Sequence, residues 1–212
     1  MALVVNEKVA HATTLVVWKK DEELETLETV FPLNKVEKKQ YLKISNKNRK
    51  KEWLAVRVLL TELLQKRVEI VYNKHNKPFI KHSNINISIS HSQNFVAIII
   101  SNSYFPGVDI EKVLERVSKI KHKFLNSSEL AWCNDIKKQT TCWSAKESVF
   151  KVFEKELDFQ DMIVSEFKIN SNKGHFTVKV TKPGYEKIYP VYYRIINDNI
   201  LTYCISKTPV LR

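Results

Sequence analysis

The sequence predicts an α+β protein made of two similar halves. Each half is a small, mostly antiparallel sheet with packed helices, and a ligand cleft lies between them. Three observations carry this. Strand-length apolar runs are interleaved with stretches of helical period. The order strand, helices, antiparallel strands occurs twice. Trp53 and Ala55 recur ninety residues later as Trp143 and Ala145, at the same place in each half. These point to a duplication with its border near Tyr104–Pro106, giving an N-terminal half over 1–105 and a C-terminal half over 106–212, joined as one pseudo-symmetric unit.

Taken in order, Thr13–Trp18 reads as a strand and Asp21–Phe31 as a short amphipathic helix stopped by Pro32. Residues 34–51 carry eight Lys or Arg against the single acid Glu37. Such a run is either a solvated helical face or, in part, a phosphate site. Glu52–Arg67 presents Trp53, Val56, Leu59, Leu60, Leu63 and Leu64 as a stripe for the core. Val68–Tyr72 is a strand, Asn73–Pro78 a polar turn and Phe79–Lys81 a short edge strand. Asn86–His91 alternates, and with Phe95–Ser101 it makes a hairpin. A strand over Gly107–Glu111 precedes a helical region over 113–124, a capped start at Ser127 and a helix over about Thr140–Glu154. Strands follow at Ile163–Ile169, Phe176–Val180, Val191–Ile196 and Leu201–Ile205. The intervening turns fall at Asn170–Gly174, Lys182–Gly184 and Asn197–Asn199.

Composition narrows the function. A chain of 212 residues with 43% hydrophobic and 27% charged residues is ordinary globular material. A formal charge of +12 asks for an anionic partner. Only Gly107, Gly174 and Gly184 are present, which excludes a P-loop, a dinucleotide GxGxxG turn and a GxSxG elbow. Phosphate handling must therefore rest on Lys, Arg, His and metal. Cys133, Cys142 and Cys204 are odd in number and widely spaced, so buried thiols in a reducing compartment are expected. No basic start with a long apolar run opens the chain, and the longest apolar run, Phe95–Ile100, is far short of a membrane span. A cytoplasmic protein without membrane contact is the expectation.

The chemistry concentrates in GVDIEK (Gly107–Lys112) and WSAKESVFK (Trp143–Lys151). On a strand, inward Val108 and Ile110 put Asp109 and Glu111 together on the other face, about 6–7 Å apart. On a helix, Glu147 and Lys151 share a face. Three acids so placed suit a hard divalent cation such as Mg²⁺ or Mn²⁺. Without one they repel, and their pKa values rise. The plain alternatives are a surface strand and an i,i+4 ion pair worth a few tenths of a kcal/mol. His91 alone reads as a satisfied turn residue, and the four tryptophans read as core.

The ordered set NKPFI, ISISHS, GVDIEK, WSAKESVFK resembles the 4′-phosphopantetheinyl transferases, specifically the larger two-lobed type that activates peptide synthetases and related carriers. The resemblance spans about Arg49 to Lys151. It implies a holo-acyl-carrier-protein synthase type of enzyme. Such an enzyme moves the phosphopantetheine arm of coenzyme A onto a serine of an apo acyl or peptidyl carrier protein, with Mg²⁺, and releases adenosine 3′,5′-bisphosphate. By motif it implies Asp109, Glu111 and Glu147 as metal ligands, with Glu147 as base and Asp109 and Lys151 in the catalytic set. It further implies Arg49, Arg57, Lys77, Ser90, His91, Lys146 and Lys151 as coenzyme contacts. A monomer is implied as well. The sequence departs from the family at Asn76, where a Gly is usual, and in the glycine-free stretch Phe153–Leu157. Carrier docking is expected near Lys119, Lys121, His122 and Lys123. The rival reading is a non-catalytic module holding coenzyme A or nucleic acid. An RNA binder should interleave aromatics with basic residues, and residues 34–51 offer only Tyr41, so no nucleic-acid partner is expected.

Overall fold

The computed structural model describes residues 2–153 and 157–208. The chain opens with a hairpin of β1 (Ala2–Ala10) and β2 (Thr13–Lys19). Three helices follow: α1 (Leu24–Val30), α2 (Lys35–Leu42) and α3 (Lys47–Leu64). Asparagines start the last two, because a short polar side chain can accept the free amides of a first turn. Asn34 forms a capping box with Glu37, and Asn46 accepts from the Arg49 amide. A small hairpin, β3 (Ile70–Tyr72) and β4 (Pro78–Ile80), leads to β5 (Asn86–His91) and β6 (Phe95–Ser101). The first sheet runs β1-β2-β6-β5, antiparallel throughout.

The second part begins with β7 (Phe105–Lys112), then α4 (Arg116–Ile120), a 3-10 turn (Lys121–Lys123), α5 (Ser127–Leu130) and α6 (Ile136–Phe150). It ends with a 3-10 turn (Phe159–Asp161), β8 (Met162–Val164), β9 (Lys173–Lys182), β10 (Tyr185–Ile196) and β11 (Asn199–Ser206). Its sheet runs β7-β11-β10-β9-β8, also antiparallel.

The two sheets stack as inner layers with a helix outside each. Val16, Trp18, Val96 and Ile98 face α1 and α3, while Leu15, Val17, Ala97 and Ile99 face Val108, Ile110 and Leu201 of the other sheet. On the far side Val178, Val191 and Cys204 pack beneath Cys142, Ala145 and Val149 of α6. β2 and β6 are thus buried on both faces, which is why Phe95–Ile100 reads as a continuous apolar run.

The α+β class is borne out. In each part the strand that precedes the helices pairs with the last strand of the returning hairpin (β2 with β6, β7 with β11). The likeness goes no further, with four strands against five and β3–β4 outside both sheets. Several boundaries moved. β1 was not expected, since ALVVNEKVA mixes polar and apolar residues without clean alternation and is held by pairing to β2 through two bulges. The helix expected over 113–124 shrinks to α4 and a 3-10 turn, and the strand expected over 163–169 to β8. β9 starts at Lys173, inside the expected turn. The three cysteines are free and buried, as expected.

One contact sets the geometry of the site. A Cβ on Gly107 would lie 1.8 Å from the Ser148 carbonyl oxygen of α6. Glycine lets α6 press directly on β7, and that brings Glu147 and Lys151 over Asp109.

Candidate active site between the two sheets

β7 is an edge strand of its sheet, so alternate amides need partners from outside it. Two serines of β5 supply them: Ser88 Oγ accepts from Val108 N–H at 3.1 Å and Ser90 Oγ from Ile110 N–H at 3.3 Å. The matched spacing shows that β5 and β7 run side by side in the same direction. Ser90 also donates to Asp109 Oδ1 at 2.8 Å. The seam between the sheets therefore ends in a carboxylate.

Asp109 is 3% exposed. Lys151 Nζ, at the C-cap of α6, donates to Asp109 Oδ1 at 2.8 Å and to the Val108 carbonyl at 3.0 Å. Asp109 Oδ2 is buried with no hydrogen-bond partner among the described residues. Glu111, two residues on, accepts from Trp143 Nε1 at 3.2 Å, with Arg116 at 3.9 Å. Burial and then the Asp109 charge raise the Glu111 pKa. Burial first, then Asp109 and Glu111 against the opposing pull of Lys151, push Glu147 up to about 7. Asp109, Glu111 and Glu147 thus lie near enough to feel one another's charge, with Val108 and Ile110 turned the other way. Among the described residues no three such donors already enclose a point as metal ligands. The donor set nevertheless suits a hard cation: all are carboxylate oxygens, one of them orphaned in a buried position where an ion or a proton would satisfy it.

A groove leads away from the acids. One cavity, about 500 Å³, is lined by Lys77, Ile87, Glu147, Phe150, Lys151 and Phe153. A second, about 460 Å³, is lined by Arg49, Glu52, Trp53, Arg57, Tyr72 and His91. Both share Asn76, Pro78 and Ile89, so they adjoin. Asn76 takes φ +59°, a left-handed position that Gly occupies freely and Asn tolerates, so the turn keeps its form despite the substitution. Asn73 Oδ1 braces that turn by accepting from the His75 and Lys77 amides. Lys77 Nζ reaches across the groove to the Val152 carbonyl at 3.2 Å.

At the far end Arg49 and His91 meet. Arg49 can only donate, so His91 Nε2, 2.9 Å away, accepts, and Nδ1–H faces Glu52 Oε1 at 3.4 Å. Burial lowers the His91 pKa, opposed by Glu52 and reinforced by Arg49, Lys20 and Lys151. Glu52 also takes Lys20 at 3.3 Å and Arg49 at 3.2 Å. Arg57 is 4% exposed, stacked 3.2 Å over the Trp53 ring, and burial brings its pKa down to about 10.

Two expected coenzyme contacts lie elsewhere. Lys146 is wholly buried inside the C-terminal half, paired with Glu129, so a coenzyme contact is not open to it. Ser90 faces the seam and acts on Asp109. Sequence reasoning missed Glu52, Lys20, Trp143 and Glu129. Glu52 had a signal, an acid three residues after Arg49 at helical spacing. Glu129 is the capping-box partner of Asn126, also readable. Residues 154–156 of the glycine-free stretch lie outside the described residues.

Geometry and family model point the same way. Residues 106–204, which hold Asp109, Glu111, Glu147 and Lys151, match the model of the 4′-phosphopantetheinyl transferase superfamily. This stretch is similar to that superfamily, in agreement with the resemblance read in the sequence. A curated relative, the 4′-phosphopantetheinyl transferase gsp of Aneurinibacillus migulanus, is 33% identical over 89 residues. That match covers 39% of this chain and 37% of the relative's length.

Proposed function

We propose that the protein is a 4′-phosphopantetheinyl transferase of the holo-acyl-carrier-protein synthase type, acting on coenzyme A and a serine of an apo acyl or peptidyl carrier protein. The observation that carries this reading is the pair of adjoining cavities, one lined by Glu147, Lys151 and Lys77 and the other by Arg49, His91 and Arg57. Coenzyme A has that polarity, with a nucleotide bearing a 3′-phosphate, a diphosphate and a long neutral arm. The cationic end suits the nucleotide phosphate, where Arg offers paired donors. Lys151 and Lys77 suit the diphosphate, and the apolar wall of Ile87, Phe150 and Phe153 suits the arm.

Asp109, Glu111 and Glu147 would hold a divalent cation, Mg²⁺ or Mn²⁺, which when bound supplies neutralisation of charge on the diphosphate oxygens. Lys151 adds a fixed positive charge on the same side. With a pKa near 7, Glu147 is poised to take the proton of the incoming serine hydroxyl. A new P–O bond then forms to the serine oxygen as the bond to adenosine 3′,5′-bisphosphate breaks. Catalysis here is positioning and charge stabilisation more than covalent chemistry.

A cavity of about 270 Å³ opens on the other side of Glu111, lined by Leu114, Arg116, Ile120 and Trp143. Leu114 and Ile120 are exposed there, with Lys119, Lys121, His122 and Lys123 alongside. An acidic carrier helix would dock on this surface by charge complementarity. The deciding experiment incubates the protein with coenzyme A, Mg²⁺ and a panel of apo carriers and reads carrier mass. Gain of the phosphopantetheine mass supports the proposal; no gain on any carrier, together with no coenzyme A binding, refutes it.

A further inference from the structure

Beside Glu147 on α6 lies a charged pair that the transfer chemistry does not touch. Lys146 and Glu129 are both wholly buried, with Lys146 Nζ 2.7 Å from Glu129 Oε2. Each is saturated. Lysine has three donors, and Lys146 spends the other two on the carbonyls of Phe124 at 2.5 Å and Phe159 at 3.2 Å. Glu129 also accepts the amides of Asn126 at 2.8 Å and Val164 at 2.7 Å. Such a pair is a poor source of stability, because desolvating two charges offsets their attraction and apolar residues of like volume often serve as well. What it supplies is direction. Partners from the start of α5, the Phe159 turn and β8 all converge on one side of α6.

That direction reaches the acids by two routes. Glu147 is the next residue on the same helix, so any axial rotation that released Lys146 would swing Glu147 by the same angle. Phe159, whose carbonyl Lys146 holds, packs on Trp143 with ring centroids 5.0 Å apart, and Trp143 Nε1 in turn holds Glu111. We infer that the Lys146–Glu129 pair is the positioning device that aims Glu147 and Glu111 at Asp109. The inference rests on the transfer reading of the cleft.

The double variant Lys146→Met/Glu129→Leu tests it by replacing the pair with apolar side chains of similar volume. The melting temperature should stay within about 5 °C of the parent or rise, as for other buried pairs so replaced. The KM for coenzyme A should hold within about threefold while kcat falls at least about tenfold, the scale seen when the partners of metal ligands are removed. Mn²⁺ affinity, read by electron paramagnetic resonance on protein with Mn²⁺ alone and again with coenzyme A, should weaken by about as much. A folded double variant that keeps either parental kcat or parental Mn²⁺ affinity would overturn the inference. So would a melting point more than about 10 °C below the parent in both this variant and Lys146→Gln, which would make the pair a stability element. A parent that transfers nothing refutes the proposed function alone, and the Mn²⁺ arm then decides the pair. A parent that neither transfers nor binds Mn²⁺ refutes both.

Discussion

The two ends of the groove carry opposite imbalances of charge. At the outer end Arg49, Lys20 and His91 gather round one carboxylate, Glu52. At the inner end Asp109, Glu111 and Glu147 gather round one ammonium, Lys151, in the seam between the sheets. Arg49 is exposed and hydrated, and burial favours the neutral form of His91 that accepts from it, so surplus positive charge there is little strained. Surplus anions in a buried seam lack that relief, and the system answers by raising pKa values. The outer end can therefore wait for its ligand at little energetic cost, whereas the inner end is incomplete until positive charge or protons arrive. Binding and chemistry should accordingly separate along the groove.

The sharpest way to break this contrast is Glu147→Gln. Transfer should fall by about 10²–10⁴, the usual worth of a general base, while coenzyme A affinity holds within about threefold; normal turnover would remove Glu147 from its role. The same change should raise the melting temperature of metal-free protein at pH 8. Folding lifts the Glu147 pKa from 4.5 to about 7, so stability is lost as pH rises through that interval, and glutamine escapes the loss. In the parent, single-turnover transfer at limiting cation should climb as pH passes about 7, where the base form takes over.

Asp109→Ala comes next. It strips Lys151 and Ser90 of their shared acceptor, and cation-dependent kcat should drop roughly a hundredfold, about 3 kcal/mol of charge stabilisation. Arg49→Ala probes the outer end. KM for coenzyme A should rise about tenfold with kcat kept, the cost of one charge-assisted hydrogen bond. Dephospho-coenzyme A should show the same KM with parent and variant; a persisting difference would move the 3′-phosphate elsewhere. The smallest effect on chemistry belongs to Gly107→Ala, which should lower stability by about 1–3 kcal/mol in chemical denaturation by forcing α6 off β7.

Much of this was legible in the chain. The alternation of Val108 and Ile110 with Asp109 and Glu111 fixed which residues share a face, because a strand's period is two. Glu147 and Lys151 were placed by helical spacing. What stayed hidden were relations between elements. Lys146 stands beside Glu147 in sequence, yet a turn of 100° per residue sends it into the C-terminal core, and only the packed partner Glu129 reveals that. Ser90 looked like a ligand contact because nothing local shows that β7 offers it an unpaired amide. Trp143 read as core, although its ring N–H reaches Glu111. β1 was invisible for a related reason: its order comes from its neighbour, not from its own pattern.

The serine seam has a consequence for how faithfully the two sheets find one another. Amides of β7 that face β5 recur every second residue, and so do the hydroxyls of Ser88 and Ser90. A slip of one residue would cost both bonds at once. A slip of two that carried Ser90 toward Glu111 would put Ser88 on the Ile110 amide beside Asp109 and leave the Val108 amide without its acceptor. Misalignment is thus discrete, and each wrong step carries its own penalty. The seam works as a vernier, converting a choice among whole-residue offsets into the placement of one carboxylate.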